Sequence, residues 1–188
     1  MDLLTGHLIS NPSQNLPLGG FAFHRKRVYT FVMDKELHRI AITTIVYNNE
    51  GKYLITKRSE KKKVFPGKWH VPGGGLDTDD YVNSEPTTDD HQWYNTVEKT
   101  LRRELKEEVN IEVGKPEYLL DITFIRPDGI PVLVLSYFAE YLSGDIALDE
   151  DTVDFAWVTP EEAKGYDLIK GIDEEIAMTD KILKSRNS

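Results

Sequence analysis

Glu104, Glu107 and Glu108 are the residues whose type and spacing could do chemistry in this sequence. Separations of three and four place all three carboxylates on one side of a helix. Val97, Leu101, Leu105 and Val109 form an apolar stripe on the adjoining face, so the predicted helix has a buried side. Like charges stacked on a half-buried helix repel unless cations neutralise them. Hard oxygen donors of this kind suit Mg²⁺ or Mn²⁺ rather than zinc. Upstream, Pro72-Gly-Gly-Gly75 supplies a backbone able to come close and offer a carbonyl. Taken alone, Leu101-Arg-Arg-Glu-Leu-Lys-Glu-Glu-Val109 is also ordinary surface-helix composition, with Arg103 and Glu107 able to pair across one turn.

Coupled to the glycine run, the segment resembles the Nudix box. That pattern is a glycine, five residues, a glutamate, seven residues, then Arg-Glu-aliphatic-x-Glu-Glu-x-Gly-aliphatic. Gly74 matches its opening glycine, and Arg103, Glu104, Leu105, Glu107, Glu108 and Ile111 match its second half. Asn110 stands at the last glycine, and Asn also tolerates the left-handed conformation a helix end requires. The first glutamate of the pattern falls on Asn95. Twenty residues separate Gly74 from Asn95 where the pattern has five, so a fifteen-residue insertion splits the box. Glu98, Asp77 or Asp80 could take the missing glutamate's role, Asp80 having five residues between it and Gly74; otherwise the role is unfilled.

The resemblance implies an α/β (α+β) fold class, a Nudix-type α/β/α sandwich with a mixed β-sheet. It implies that Glu104, Glu107, Glu108 and the Gly73 carbonyl hold Mg²⁺, with Mn²⁺ as the alternative. Glu104, Glu107 and Arg103 would be catalytic, Arg103 by positioning the glutamates and Glu104 or a loop carboxylate by taking a proton from water. Arg58, Gly74 and Trp69 are the substrate-binding candidates, although a tryptophan in this position is more often a packing residue. One further carboxylate would come from Glu150, Asp151 or Asp154. The implied substrate is a small nucleotide, a nucleoside diphosphate joined to another group. A (deoxy)nucleoside triphosphate cleaved to the monophosphate and pyrophosphate comes first, and a nucleotide sugar or dinucleotide second. A non-catalytic nucleotide-sensing module is the rival from another class, motivated by Asn95 and the split box. A Nudix-fold isomerase, suggested by Val64-Phe-Pro-Gly67, requires a catalytic cysteine, and the chain has none.

The elements that must position these residues are legible in outline. A chain of 188 residues with 39% hydrophobic and 29% charged residues suits one globular domain with a sizeable core. A formal charge of −9 argues against nucleic-acid binding, which calls for a basic footprint. The first residues lack a basic stretch followed by an apolar run, and no window is apolar enough to span a membrane, so a cytoplasmic enzyme is expected. Residues 1–34 read as an N-terminal arm with short strands near Phe21–His24 and Val28–Val32, with a Nudix domain over 35–188. Arg25-Lys-Arg27 reads as a solvated turn, and exchange of the arm in a homodimer stays open.

Ile40–Tyr47 and Tyr53–Lys57 read as strands joined by Asn48-Asn-Glu-Gly51, followed by the basic Lys61-Lys-Lys63 loop. Residues 78–94 read as an acidic, turn-rich insertion, solvated or else a lid. Glu117–Ile125 and Val132–Tyr141 read as strands around an Arg126-Pro-Asp-Gly129 turn, with a short strand over Asp154–Val158. Thr159-Pro-Glu-Glu162 has the form of a capping box, and Ile172, Ile176, Thr179 and Leu183 line one face of a closing helix.

Overall fold

The computed structural model describes residues 37–186, so the expectations for the N-terminal arm lie outside the described residues. The β-branched run around Ile42 forms β1 (Arg39–Tyr47), which pairs in parallel with β7 (Pro131–Ser143) along its whole length, from Arg39 opposite Val132 to Tyr47 opposite Glu140. Parallel neighbours need a crossover, and here it contains helix α2 (Thr96–Val109). β7 is also antiparallel to β5 (Glu112–Val113) and to β6 (Glu117–Ile125). On its other edge β1 meets Tyr53 of β2 (Tyr53–Arg58) and then β4 (Gly73–Gly75). β2 in turn pairs with β3 (Trp69–His70) and β8 (Thr152–Val158). The sheet is therefore mixed.

Alternation along β1 sends Ile42 and Val46 to one face and Ile45 to the other. Ile42, Val46 and Leu54 pack with Leu101, Leu105 and Val109 of α2. Ile45, Tyr53 and Ile55 pack with Ile172 and Ile176 of the closing helix, which follows two short helices, α1 (Asp79–Val82) and α3 (Pro160–Ala163), as α4 (Ile172–Arg186). Helices thus cover both faces, which makes the fold an α/β/α sandwich. Leu101 and Leu105 are each 1% exposed, so truncating either to Ala costs about 2–5 kcal/mol. No helix among the described residues is long and apolar enough to cross a membrane.

Two local devices fix the ends that matter. Asn110 is left-handed (φ 56°, ψ 39°), its N–H donates to Lys106 O at 3.2 Å, and Ile111 N–H donates to Leu105 O at 3.4 Å. This closes α2 and drops Ile111 into the core beside Leu105. At α3, Thr159 Oγ1 accepts from Glu162 N–H while the Glu162 carboxylate accepts from Thr159 N–H, the reciprocal cap expected from the sequence.

Candidate active site

The apolar stripe of α2 turns Arg103 and the glutamates toward β4. Arg103 is the hub: Nε donates to Asp80 Oδ1 at 2.5 Å and Nη1 to Glu107 Oε2 at 2.7 Å. Nη2 donates to Glu104 Oε1 at 2.9 Å, to Gly75 O at 3.2 Å and to Asp80 Oδ2 at 3.2 Å. The Asp80 carboxylate also accepts from Thr100 Oγ1 at 2.8 Å and from Asp77 N–H at 3.0 Å, and its side chain is 4% exposed. Burial pushes the Asp80 carboxyl up, but bonds from Arg103, the Asp77 amide and Thr100 outweigh it and hold it below the ordinary aspartate value.

Among the carboxylates proposed for the missing glutamate, Asp80 is therefore the one on Arg103. Asp77 contributes only its amide to this cluster. Glu98 instead pairs with Arg102, which itself donates to the Val113 and Gly114 carbonyls. Asn95, at the position the pattern gives to glutamate, is a left-handed residue (φ 59°) starting α2. The chain between α1 and α2 is pinned at its base. Tyr81 lies on Trp93 with ring centroids 5.3 Å apart, and Trp93 Nε1 donates to Ser84 O at 2.9 Å.

The glycines earn their place by contact. A Cβ on Gly74 would lie 2.2 Å from the Glu104 carboxyl carbon, so the carboxylate rests on bare backbone there. Gly73 has φ +150°, a Cβ on it would meet Ile42 O at 2.2 Å, and its N–H donates to Glu108 Oε2 at 2.9 Å. Glu108 is further held by Thr152 Oγ1, 3.1 Å from Oε1, and by His70, whose Nε2 stands 3.3 Å from the same oxygen. Burial pushes the Glu108 carboxyl up, but His70, the Gly73 amide and Thr152 outweigh it and hold it below the ordinary glutamate value. Glu104 goes the other way: burial raises it, Arg103 offsets part, and the charges of Glu108 and Glu107 add to the rise.

Among the described residues no three acidic or imidazole side chains already converge as a coordination sphere. Glu107 leans on Arg103, and Glu108 on Gly73 and Thr152. The residues nevertheless fit a divalent cation. Three hard oxygen donors feel one another's charge around Glu104, and the Glu107 side chain, 60% exposed, is held only by Arg103 among the described residues.

The other expected residues divide. Arg58 lies opposite Thr152 across β2–β8, one side chain from Glu108. Asp151 forms an ion pair with Lys62 of the basic loop, and its carbonyl accepts from Ser59 N–H. Glu150 and Asp154 are exposed, and Asp154 Oδ1 accepts the Phe155 N–H. Trp69 is not brought to the site. It alternates away from His70 and packs, half-buried, against the Ile45–Ile176 core cluster, edge-on to Tyr166 with centroids 4.8 Å apart. A hollow of about 580 Å³ at the other end of β1, lined by residues including Asn48, Tyr141, Phe155 and Trp157, contains none of Glu104, Glu107 and Glu108. His70 and Thr152 were not singled out by sequence. No spacing marks them, because only strand pairing carries them under Glu108.

The NUDIX domain family pattern matches residues 37–178. The chain belongs to the Nudix family. It is a Nudix hydrolase, acting on acid anhydrides in phosphorus-containing substrates. It is similar to the nucleoside triphosphatase NudI of Klebsiella pneumoniae, 32% identical over 130 residues covering 64% of this chain and 82% of that protein. In fold, this Nudix hydrolase resembles the MutT protein of Methanosarcina mazei (TM-score 0.60, 20% identity, 81% of this chain and 99% of that one). It also resembles the NUDIX domain of Shewanella oneidensis NrtR, whose structure is complexed with ADP ribose (TM-score 0.62, 18% identity, 79% and 90%).

Proposed function

We propose that this Nudix hydrolase is a cytoplasmic enzyme that cleaves a (deoxy)nucleoside triphosphate to the monophosphate and pyrophosphate, with Mg²⁺ as cofactor and Mn²⁺ able to replace it. The observation that carries the reading is the Arg103 fork, which ties Asp80, Glu104 and Glu107 together and so reassembles the split box. The relatives named nucleoside triphosphatase support the triphosphate over a nucleotide sugar or dinucleotide. The non-catalytic reading drew on Asn95, and Asp80 on Arg103 removes that motive.

Phosphoanhydride hydrolysis requires an oriented water, neutralised oxygens and an in-line approach. Glu104, Glu107, Glu108 and the Gly73 carbonyl are the groups that would hold Mg²⁺, which supplies Lewis-acid charge and a more acidic water when bound. The Gly73 amide and the Thr152 hydroxyl hold the Glu108 carboxylate by hydrogen bonds, with His70 Nε2 3.3 Å away. Arg103 orients Glu104 and Glu107. Glu104, whose proton affinity burial has raised, takes the proton of the attacking water. Arg58 faces the phosphates beside Glu108.

Phosphorus NMR of a nucleotide panel with Mg²⁺ tests this. Monophosphate and pyrophosphate from triphosphates are the expected products, and their absence, or products only from nucleotide sugars or dinucleotides, overturns the substrate assignment.

A further inference from the structure

The turn Arg126-Pro-Asp-Gly129 joins β6 to β7, with Gly129 N–H donating to Arg126 O at 2.8 Å. Nothing in turn formation requires the side chain of Arg126 to be buried, yet it is 19% exposed. Its Nε is buried with no hydrogen-bond partner, while Nη2 donates to Asp128 Oδ2 at 2.6 Å. A buried guanidinium N–H left unpaired is costly, and the cost is relieved by an acceptor.

Arg58, at the end of β2, is near enough for the Arg126 charge to act on it. Arg58 Nε donates to Val64 O at 3.2 Å, and the next residue, Phe65, lies on Phe124 of β6 with ring centroids 6.4 Å apart. Phe124 is two residues before Arg126, so the basic loop links the two arginines. Burial presses the Arg58 guanidinium toward losing its proton; Glu108 and Asp151 oppose this, and the Arg126 charge adds to it. Both remain cationic, since arginine does not deprotonate in proteins. Two guanidinium groups of like charge, partly desolvated and each with donors to spare, match a polyanion with several oxygens.

We infer that Arg58 and Arg126 together form a two-guanidinium site for the terminal pyrophosphate end of the substrate, Arg126 being the residue that counts phosphates beyond those at the glutamates. Glu108 accepts from Thr152, Arg58 lies opposite Thr152 across β2–β8, and the Val64 and Phe65–Phe124 contacts lead from Arg58 to the β6–β7 turn that carries Arg126. Phosphates laid along these contacts run from the reacting centre to the β6–β7 turn. Asp128, which already holds Nη2, competes with the anion. This inference rests on the triphosphate reading above.

Calorimetric titration with inorganic pyrophosphate in Mg²⁺ tests it without turnover. Arg126→Gln keeps most of the buried stem and removes the charge, and it should weaken pyrophosphate binding on the order of 10- to 100-fold. Arg126→Lys should restore part of the loss. Asp128→Asn, which removes the competing carboxylate, should tighten binding, a gain that a merely structural Arg126 would not produce. Unchanged affinity in Arg126→Gln, weaker binding in Asp128→Asn, or no pyrophosphate binding by the wild-type protein overturns the inference. The phosphorus NMR panel separates the two proposals. Arg126-dependent pyrophosphate binding without triphosphate cleavage refutes the proposed reaction and leaves the anion site standing.

Discussion

Asp80→Asn probes the joint on which the reassembled box depends. The Asp80 carboxylate accepts two bonds from Arg103, one from Thr100 and one from the Asp77 amide. An amide of the same size keeps one acceptor oxygen and turns the other atom into a donor facing donors. A hydrogen bond to a charged group contributes about 1.5–3 kcal/mol. Arg103 is 32% exposed, so solvent screening trims the upper end and a loss of roughly 2 kcal/mol is expected. In a domain of this size that lowers Tm by about 4–8 °C. Freed from Asp80, Arg103 also orients Glu104 and Glu107 less well, and kcat/KM should fall about 10- to 100-fold. Because the folded Asp80 carboxyl lies below its unfolded value, its stabilisation is present at neutral pH and fades as pH falls through the folded value. The Tm gap between wild type and Asp80→Asn should therefore close on acidification. Thermal melts across pH, paired with steady-state kinetics, supply the measurement. Asp80→Glu should retain activity, and Glu98→Gln should change stability by no more than about 0.5 kcal/mol, its pair with Arg102 being exposed. An Asp80→Asn protein as stable and active as wild type, with Glu98→Gln impaired instead, would refute the reasoning.

Gly74→Ala places a Cβ inside the Glu104 carboxyl and should cut kcat by about 100-fold or more while the melting curve barely moves, since only the end of a side chain must shift. Asn110→Val, forced into a left-handed conformation, should cost about 1–2 kcal/mol in urea unfolding, whereas Asn110→Gly should be nearly neutral. Glu175 is buried beneath the sheet, where it accepts a hydrogen bond from Ser136. Burial raises its carboxyl, the Ser136 bond offsets part, and Glu174 adds to the rise. Its folded value being raised, wild-type stability is favoured at low pH and lost as pH rises through that value, so Glu175→Gln should gain Tm relative to wild type at pH 8 and not at pH 4.

Much of the frame could be read before any coordinates. β-branched runs marked β1 and β7, the Arg126-Pro-Asp-Gly129 turn set the β6–β7 hairpin, and Thr159-Pro-Glu-Glu162 wrote its own cap, because each signal is local. The glutamates of α2 were legible for the same reason, since helical spacing fixes which side chains share a face. What the sequence left open depends on contacts made far along the chain. Asp80 had the pattern's spacing from Gly74 but Asp77 and Glu98 stayed open beside it, and only the fold sets Asp80 on Arg103, 23 residues away. His70 and Thr152 reach Glu108 through strand pairing that no spacing announces. Trp69 had two readings, and strand alternation sends it to the α4 face.

The claim at the centre is that Glu104, Glu107 and Glu108 gather divalent cations beside Gly74. Electron paramagnetic resonance of Mn²⁺ titrated into the wild-type protein, Glu107→Gln and Glu108→Gln measures it directly. Wild type should take up the ion and each variant should lose affinity by at least about 10-fold with the fold intact. Equal Mn²⁺ uptake in all three proteins would contradict the account.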